Sequence, residues 1–249
     1  MKRIRIIPSL LLLKDGLYKT VRFNNPAYIG DPINVVKIFN EKGADEIVLL
    51  DIAATKENIQ INFKKLSEIA GEAFMPMAYG GGIATYKDAQ RIFDCGFEKV
   101  IINSAAEKSP SLITKIAKTY GSQSAVLSMD VKRDLFGRYR VYTRGGTKNT
   151  GLPPVEYAKK MELTGAGEIF LNAIHKDGTW NGYDIEIIKQ VSKAVNIPVI
   201  ASGGASGMDD FKKAIIDGGA SAVAAASMFV YQKKGKGVLI TFPTEELIL

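Results

Sequence analysis

Gly43-Ala44-Asp45-Glu46-Ile47 and Gly165-Ala166-Gly167-Glu168-Ile169 decide the fold, because the second stretch is the first met again 165 − 43 = 122 residues later. Met75-Pro76 returns as Ile197-Pro198 at the same spacing. Tyr79-Gly80-Gly81-Gly82-Ile83 returns as Ala201-Ser202-Gly203-Gly204-Ala205, also 122 apart. Asn103-Ser104-Ala105 is echoed by Ala226-Ser227-Met228, about one residue further on. Four matches in one order at nearly one spacing point to a duplicated half, about 1–122 and 123–249.

Outward from the repeats, short apolar runs alternate with amphipathic stretches. Strands are expected over Ile4–Leu13, Glu46–Leu50, Met75–Tyr79, Lys99–Ile102, Ser124–Val131, Glu168–Leu171, Val199–Ala201 and Ala220–Ala225. Helical patterns lie between them, several opening on Pro or Asp and closing on Gly43, Gly96, Gly165 or Gly218. Continuous apolar strands alternating with helices imply a parallel sheet. Eight such units in one chain of 249 residues predict an α/β fold, a single (β/α)8 TIM barrel of two half-barrels. A doubly wound open sheet is the alternative. The Gly- and charge-rich stretch Asp134–Gly151 is expected to form a loop or hairpin at the barrel top.

Composition narrows the function classes. No apolar run is long enough to span a bilayer, so no membrane role is expected. The start, Met1 to Ile7, is basic and then apolar, but Lys14-Asp15-Gly16 follows without a small-residue cleavage site. The lone Cys95 fits a reducing compartment, and a cytoplasmic location is expected. One Cys and one His make a poor metal-ligand set, so neither metal nor cofactor is expected. A net charge of +7 and a pI near 9.3 favour an anionic partner. The basic residues are dispersed, and Lys233-Lys234-Gly235-Lys236 is too short for a nucleic-acid tail. A phosphorylated small molecule fits better.

In such a barrel, chemistry belongs at the carboxyl ends of the strands. Gly80-Gly81-Gly82 and Gly203-Gly204 end the third and seventh strands; Asn103-Ser104 and Ser227 end the fourth and eighth. Each half so offers a glycine loop beside a strand-end hydroxyl, which reads as two phosphate cradles. The bland reading is tight turns. Asp130 ends an apolar run, Val126-Leu127-Ser128-Met129-Asp130, where burial disfavours its charge; it is a candidate general acid or base. Asp51 and Asp177 admit the same reading or a loop-ordering one. Lys19 could reach a substrate or close a loop. His175, in a loop, reads first as structural. At the opposite, amino ends, Arg5, Glu46, Lys99 and Glu168 start apolar strands; they read as solvated strand ends or as a ring of salt bridges plugging the axis.

Lys14-Asp15-Gly16, Gly30-Asp31-Pro32, Gly80–Ile83, Asn103–Ala106, Asn149-Thr150-Gly151, Asp177-Gly178-Thr179, Gly182-Tyr183-Asp184 and Ala201–Ala205 together resemble the cyclase subunit of imidazole glycerol phosphate synthase, the HisF family. The resemblance covers nearly the whole chain. It implies a HisH-like glutaminase partner that releases ammonia at the barrel bottom, and a bisphosphorylated substrate at the top. It assigns Arg5, Glu46, Lys99 and Glu168 to an ammonia gate. It assigns Gly82, Asn103 and Ser104 to one phosphate, and Gly204 and Ser227, with Asp177-Gly178 nearby, to the other. Asp130 becomes the acid/base and Lys19 a residue of the mobile substrate loop.

Two departures bear on activity. The family's first strand carries a second catalytic Asp, where this chain reads Pro8-Ser9-Leu10-Leu11-Leu12-Leu13 and offers Leu11 or Leu12. His175-Lys176-Asp177 stands where the family usually reads Asp-Arg-Asp. The strand-one sequence, with Tyr18–Val21, Met75–Gly80 and Ala226–Val230, resembles HisF paralogues of surface-polysaccharide and flagellar-glycan clusters linked to glycosyl amidation. Three functions follow as expectations: ammonia delivery for sugar amidation, a cyclase-lyase of histidine biosynthesis, and a non-catalytic conduit that activates a glutaminase.

Overall fold

The computed structural model describes residues 3–243 and 247–248; Met1 and Lys2 of the basic N-terminal stretch lie outside them. In chain order the strands are β1 (Arg5–Leu13), β2 (Gly16–Val21), β3 (Asn24–Gly30), β4 (Ile47–Asp51), β5 (Met77–Gly80), β6 (Lys99–Ile102), β7 (Ala125–Arg133), β8 (Tyr139–Thr143), β9 (Lys148–Asn149), β10 (Glu168–Ala173), β11 (Val199–Ser202) and β12 (Ala222–Ala225). The helices are α1 (Pro32–Glu41), α2 (Ala54–Glu57), α3 (Phe63–Ala70), α4 (Tyr86–Asp94), α5 (Ser104–Lys108), α6 (Ser111–Tyr120), α7 (Pro154–Leu163), α8 (Ile185–Ser192), α9 (Met208–Ile216) and α10 (Ser227–Val230).

Eight strands close into a parallel ring in the order β1, β4, β5, β6, β7, β10, β11, β12, with β12 pairing back to β1. The open-sheet alternative is thereby removed. The stagger of the ring can be counted. Carrying each register along its strands leads from Leu11 through Leu50, Gly80, Ile101, Val126 and Glu168, then positions 198 and 220, and back to β1 at position 3. That is a displacement of 11 − 3 = 8 residues, the shear of a TIM barrel.

Local chemistry places the helices. Asp31 caps α1 through its carboxylate and Pro32 starts it, where no N–H is needed. Thr85 and Asp88 form a reciprocal capping box at α4. The third barrel strand starts at Met77, two residues later than expected, because Pro76 has no N–H for the ladder and contributes only its carbonyl, to Ile47 N. Two antiparallel extensions rise from the barrel top: β2–β3 from β1, and β8–β9 from β7. The second takes the hairpin form of the loop or hairpin expected over Asp134–Gly151; the first was not foreseen. The main core lies between the strands' outer faces and the helices, with Phe39, Leu49, Ile69, Phe211 and Phe229 among its buried members.

Candidate functional site

Alternation along each strand sorts side chains between the shell and the axis. On the axis, three levels stack. At the bottom, Arg5 bonds Glu46 at 2.5 Å and also bonds Glu168, while Lys99 Nζ reaches Glu46 at 2.8 Å and Glu168 at 3.1 Å. The four charges make a closed ring of alternating sign. Both glutamates are buried, so neither is an ordinary solvated strand end. Burial opposes the charge of Arg5, but Glu168 and Glu46 outweigh it and hold the guanidinium above its usual range.

Above the ring, Ile7, Val48, Ala78, Ile101, Val126, Phe170, Ile200, Ala222 and Ala224 pack the axis. The middle level is an apolar plug, with three alanines its smallest members, rather than an open pore. Above it the axis widens into a cavity of about 1230 Å³. Lys19, Gly82, Asn103, Ser104, Asp130, Asp177, Gly178, Gly204 and Ser227 all line this one cavity.

Asp130 is a buried carboxyl of this cavity. Its Oδ2 accepts only a long bond from Asn103 Nδ2, at 3.3 Å. Burial first, and the charge of Asp177 second, push it up to about 7. A group poised there can give or take a proton near neutrality. Across the barrel, Leu11 faces the cavity, whereas Leu12 is buried in the shell core. Leu11 and Asp130 hold matched places: each lies opposite a tyrosine of the antiparallel extension, Tyr18 and Tyr142 respectively. One side of the mouth therefore has an alkyl group where the other has a carboxyl.

The two glycine loops open onto the same cavity. Gly82 N donates to Thr55 Oγ1 at 3.2 Å, and Ser104 Oγ accepts from Arg144 N at 2.9 Å, so the first loop is stitched to its neighbours. Gly204 has φ +110°, and a Cβ there would lie 2.3 Å from the Gly182 carbonyl oxygen. Close chain approach by itself requires this glycine.

Asp51 takes the loop-ordering role. Its Oδ1 accepts from Ala53 N at 3.0 Å and Ala54 N at 2.9 Å, although burial keeps its proton affinity above the ordinary value. His175 does not line the cavity. Its Nε2 pairs with Asp184 at 3.0 Å, and Tyr139 OH donates to the same carboxylate. Burial opposes the Asp184 charge, yet these donors and Ile187 N–H hold it below the usual carboxylate range.

The extension β2–β3 roofs the mouth. Lys19, buried on β2, donates to Asp177 Oδ1 at 2.9 Å, and Thr20 Oγ1 to Asp177 Oδ2 at 3.2 Å. Arg22 N donates to the Asp177 carbonyl at 2.9 Å. The Phe23 ring lies against Gly146, in the turn between β8 and β9. Asp177 and Gly178, placed with the second phosphate by resemblance, are thus the seat of the roof. Thr20, Phe23 and Gly146 escaped sequence reasoning, and so did Asn172, which lines the cavity beside Asp130 on the β10–β7 ladder. The spacing of Glu168, Phe170 and Asn172 put all three on one face and could have revealed the last.

A charged ring below, an apolar plug and a polar mouth above make a (β/α)8 barrel with its candidate site at the carboxyl ends of the strands. The chain belongs to the histidine biosynthesis protein family, whose profile matches residues 5–236. It is 48% identical over 229 residues to the imidazole glycerol phosphate synthase subunit HisF of Alkaliphilus metalliredigens, covering 92% of this chain and 91% of that protein. It is 46% identical over 243 residues to the "Putative imidazole glycerol phosphate synthase subunit hisF2" of Pseudomonas aeruginosa, covering 98% and 97%. Among the described residues no helix is long and apolar enough to cross a membrane, and no group of His, Cys, Asp and Glu side chains could hold a metal.

Proposed function

We propose that this chain receives ammonia from a HisH-like glutaminase through the ring of Arg5, Glu46, Lys99 and Glu168, and supports its transfer to a sugar precursor at the mouth. The observation that carries this reading is Leu11 on the cavity wall, in the place matched to Asp130. An alkyl side chain moves no proton, so ring closure that needs a carboxylate at both matched places finds one only at Asp130. The apolar plug fits the cargo: neutral ammonia crosses an alkyl-lined passage far more cheaply than ammonium. Asp130 serves as acid/base, Lys19 closes the loop over the substrate, and the glycine loops with Asn103, Ser104 and Ser227 hold its anionic groups.

A cyclase-lyase of histidine biosynthesis is the second reading, favoured by both glycine loops and Asp130 sharing one cavity. A conduit that only activates a glutaminase is the third. Purified protein with an ammonium salt and the cyclase's bisphosphate substrate separates them. No turnover, together with stimulation of the glutaminase in a reconstituted pair, is expected. Turnover at an ordinary enzymatic rate overturns the first reading in favour of the second. Asp130→Asn then divides the first from the third: it abolishes product if the barrel performs its own chemistry and leaves a pure conduit unaffected.

A further inference from the structure

The two glycine loops repeat one sequence pattern, but the cations around them are not repeated. Lys56, Arg91, Lys108 and Arg144 line the cavity, and each is tied to the first loop. Lys56 follows Thr55, whose Oγ1 accepts from Gly82 N at 3.2 Å. Lys108 comes four residues after Ser104 on α5, on the same helical face. Arg144 donates its backbone N–H to Ser104 Oγ at 2.9 Å. Arg91 lies 3.6 Å over the centre of the Phe63 ring. Ile61, two residues before Phe63, holds its Cγ1 3.2 Å from where a Cβ on Gly82 would stand. Among the described residues none of these four side chains is paired with an acid. Most acids of the wall are already engaged. Asp51 is held by Ala53 N and Ala54 N, Asp88 by the start of α4, and Asp177 by Lys19. Asp130 is buried, and Glu57 is left exposed beside the cations. On the side of the second loop, Lys19 is taken up by Asp177. Lys176 donates to the Asn181 carbonyl at 3.1 Å and does not line the cavity.

We propose that the first glycine loop is the inner half of a diphosphate subsite whose outer half is Lys56, Arg91, Lys108 and Arg144, so that the sugar precursor enters this mouth as a diphosphate ester. A phosphate seated in the loop meets Gly82 and Ser104, and the four cations stand beyond them. A diphosphate spreads its charge over two adjacent centres and so engages the loop and the cations together. The two guanidinium groups can each grip a pair of phosphate oxygens, and the two ammonium groups act as point charges. The second loop, without a free cation, suits a less charged polar group. A substrate with one phosphate at each end has no use for four cations at one loop. The substrate class rests on the mouth being the sugar site of the proposed function; the diphosphate subsite does not.

Amide NMR titrations of the full chain at fixed ionic strength test this without turnover. The probes are inorganic pyrophosphate, orthophosphate, uridine diphosphate and fructose 1,6-bisphosphate. Pyrophosphate is expected to bind about tenfold tighter than orthophosphate and to shift Gly81, Gly82 and Ser104 but not Gly203 or Gly204. Uridine diphosphate should shift the same first-loop amides, because an ester is accepted. Arg91→Gln with Lys108→Gln should weaken pyrophosphate about tenfold and orthophosphate far less. Lys212→Gln with Lys213→Gln, the same charge change on the exposed side of α9, should leave both affinities unchanged. Equal affinity for pyrophosphate and orthophosphate in the unaltered chain overturns the proposal, whether or not the variants fold. So does an equal loss in the two double variants, which would leave only the general attraction of a basic protein. Fructose 1,6-bisphosphate shifting both loops and binding more tightly than uridine diphosphate overturns it in favour of one phosphate at each end. A chain that binds as described yet makes no product from ammonia and any sugar diphosphate would sink the functional reading and leave the subsite standing.

Discussion

Leu11 and Asp130 leave one of two matched places at the mouth with an alkyl group and the other with a carboxyl. The cost of Asp130 is calculable. In an unfolded chain an aspartic acid ionises near 3.9, roughly; in this cavity it does so near 7. Between those values the folded state keeps a proton that the unfolded state has lost. Stability therefore falls as pH rises through that window, to roughly 4 kcal/mol below the acid level once above pH 7. Asp130→Asn removes that slope. The variant should resist urea better than the unaltered chain at pH 8 and about equally at pH 4; an equal gain at both would refute burial as the cause. The place of Asp130 at the end of an apolar run was legible in the sequence. Its Asp177 neighbour was not, because the two are far apart in the chain.

At the scale of elements, β2–β3 is the instructive case. Its turn, Arg22-Phe23, carries two consecutive positive φ values, 52° and 64°, between the paired Val21 and Asn24. Left-handed non-glycine residues cost about 1–2 kcal/mol each, and Asn-Gly or Asp-Gly is the usual signature of such a turn. Without it, this hairpin leaves no signal in the sequence. Tertiary contacts compensate: Arg22 N bonds the Asp177 carbonyl and Phe23 lies on Gly146. Gly178 is the critical seat, since a Cβ there would lie 2.5 Å from the Thr20 carbonyl oxygen, and its φ is +69°. Gly178→Ala should lift the hairpin and speed amide exchange across residues 16–30 by roughly tenfold, about 1.4 kcal/mol of lost docking. Fluorescence of Trp180, the one tryptophan of the chain, should shift with it. Unchanged exchange would place the docking energy elsewhere. The hairpin within Asp134–Gly151, by contrast, was legible from its glycines and charges.

For the whole molecule, the ring at the bottom couples strands from both halves of the sequence. Glu46 and Glu168 are buried and depend on Arg5 and Lys99 for compensation. Removing one partner of a buried pair typically costs about 3–5 kcal/mol. Lys99 is partly solvated, so Lys99→Met is expected to cost about 2–3 kcal/mol in chemical denaturation; a loss below roughly 0.5 kcal/mol would show that water already screens the ring. Arg5→Ala tests the proposed gate in the reconstituted complex. Glutamine-driven product should fall while product from added ammonia is spared, and parallel responses of the two rates would remove the gate from the proposal.

The sequence by itself determined the barrel: a repeat of 122 residues, eight apolar runs and the helix caps between them are local or periodic signals, and local signals survive in one dimension. The pairing of Arg5 with Glu168, the choice of Leu11 over Leu12 for the cavity wall, and the seating of Lys19 on Asp177 were decided only when the strands closed with their eight-residue stagger. Closure sets which distant residues share a height and a face, and neither quantity exists before the ring is complete.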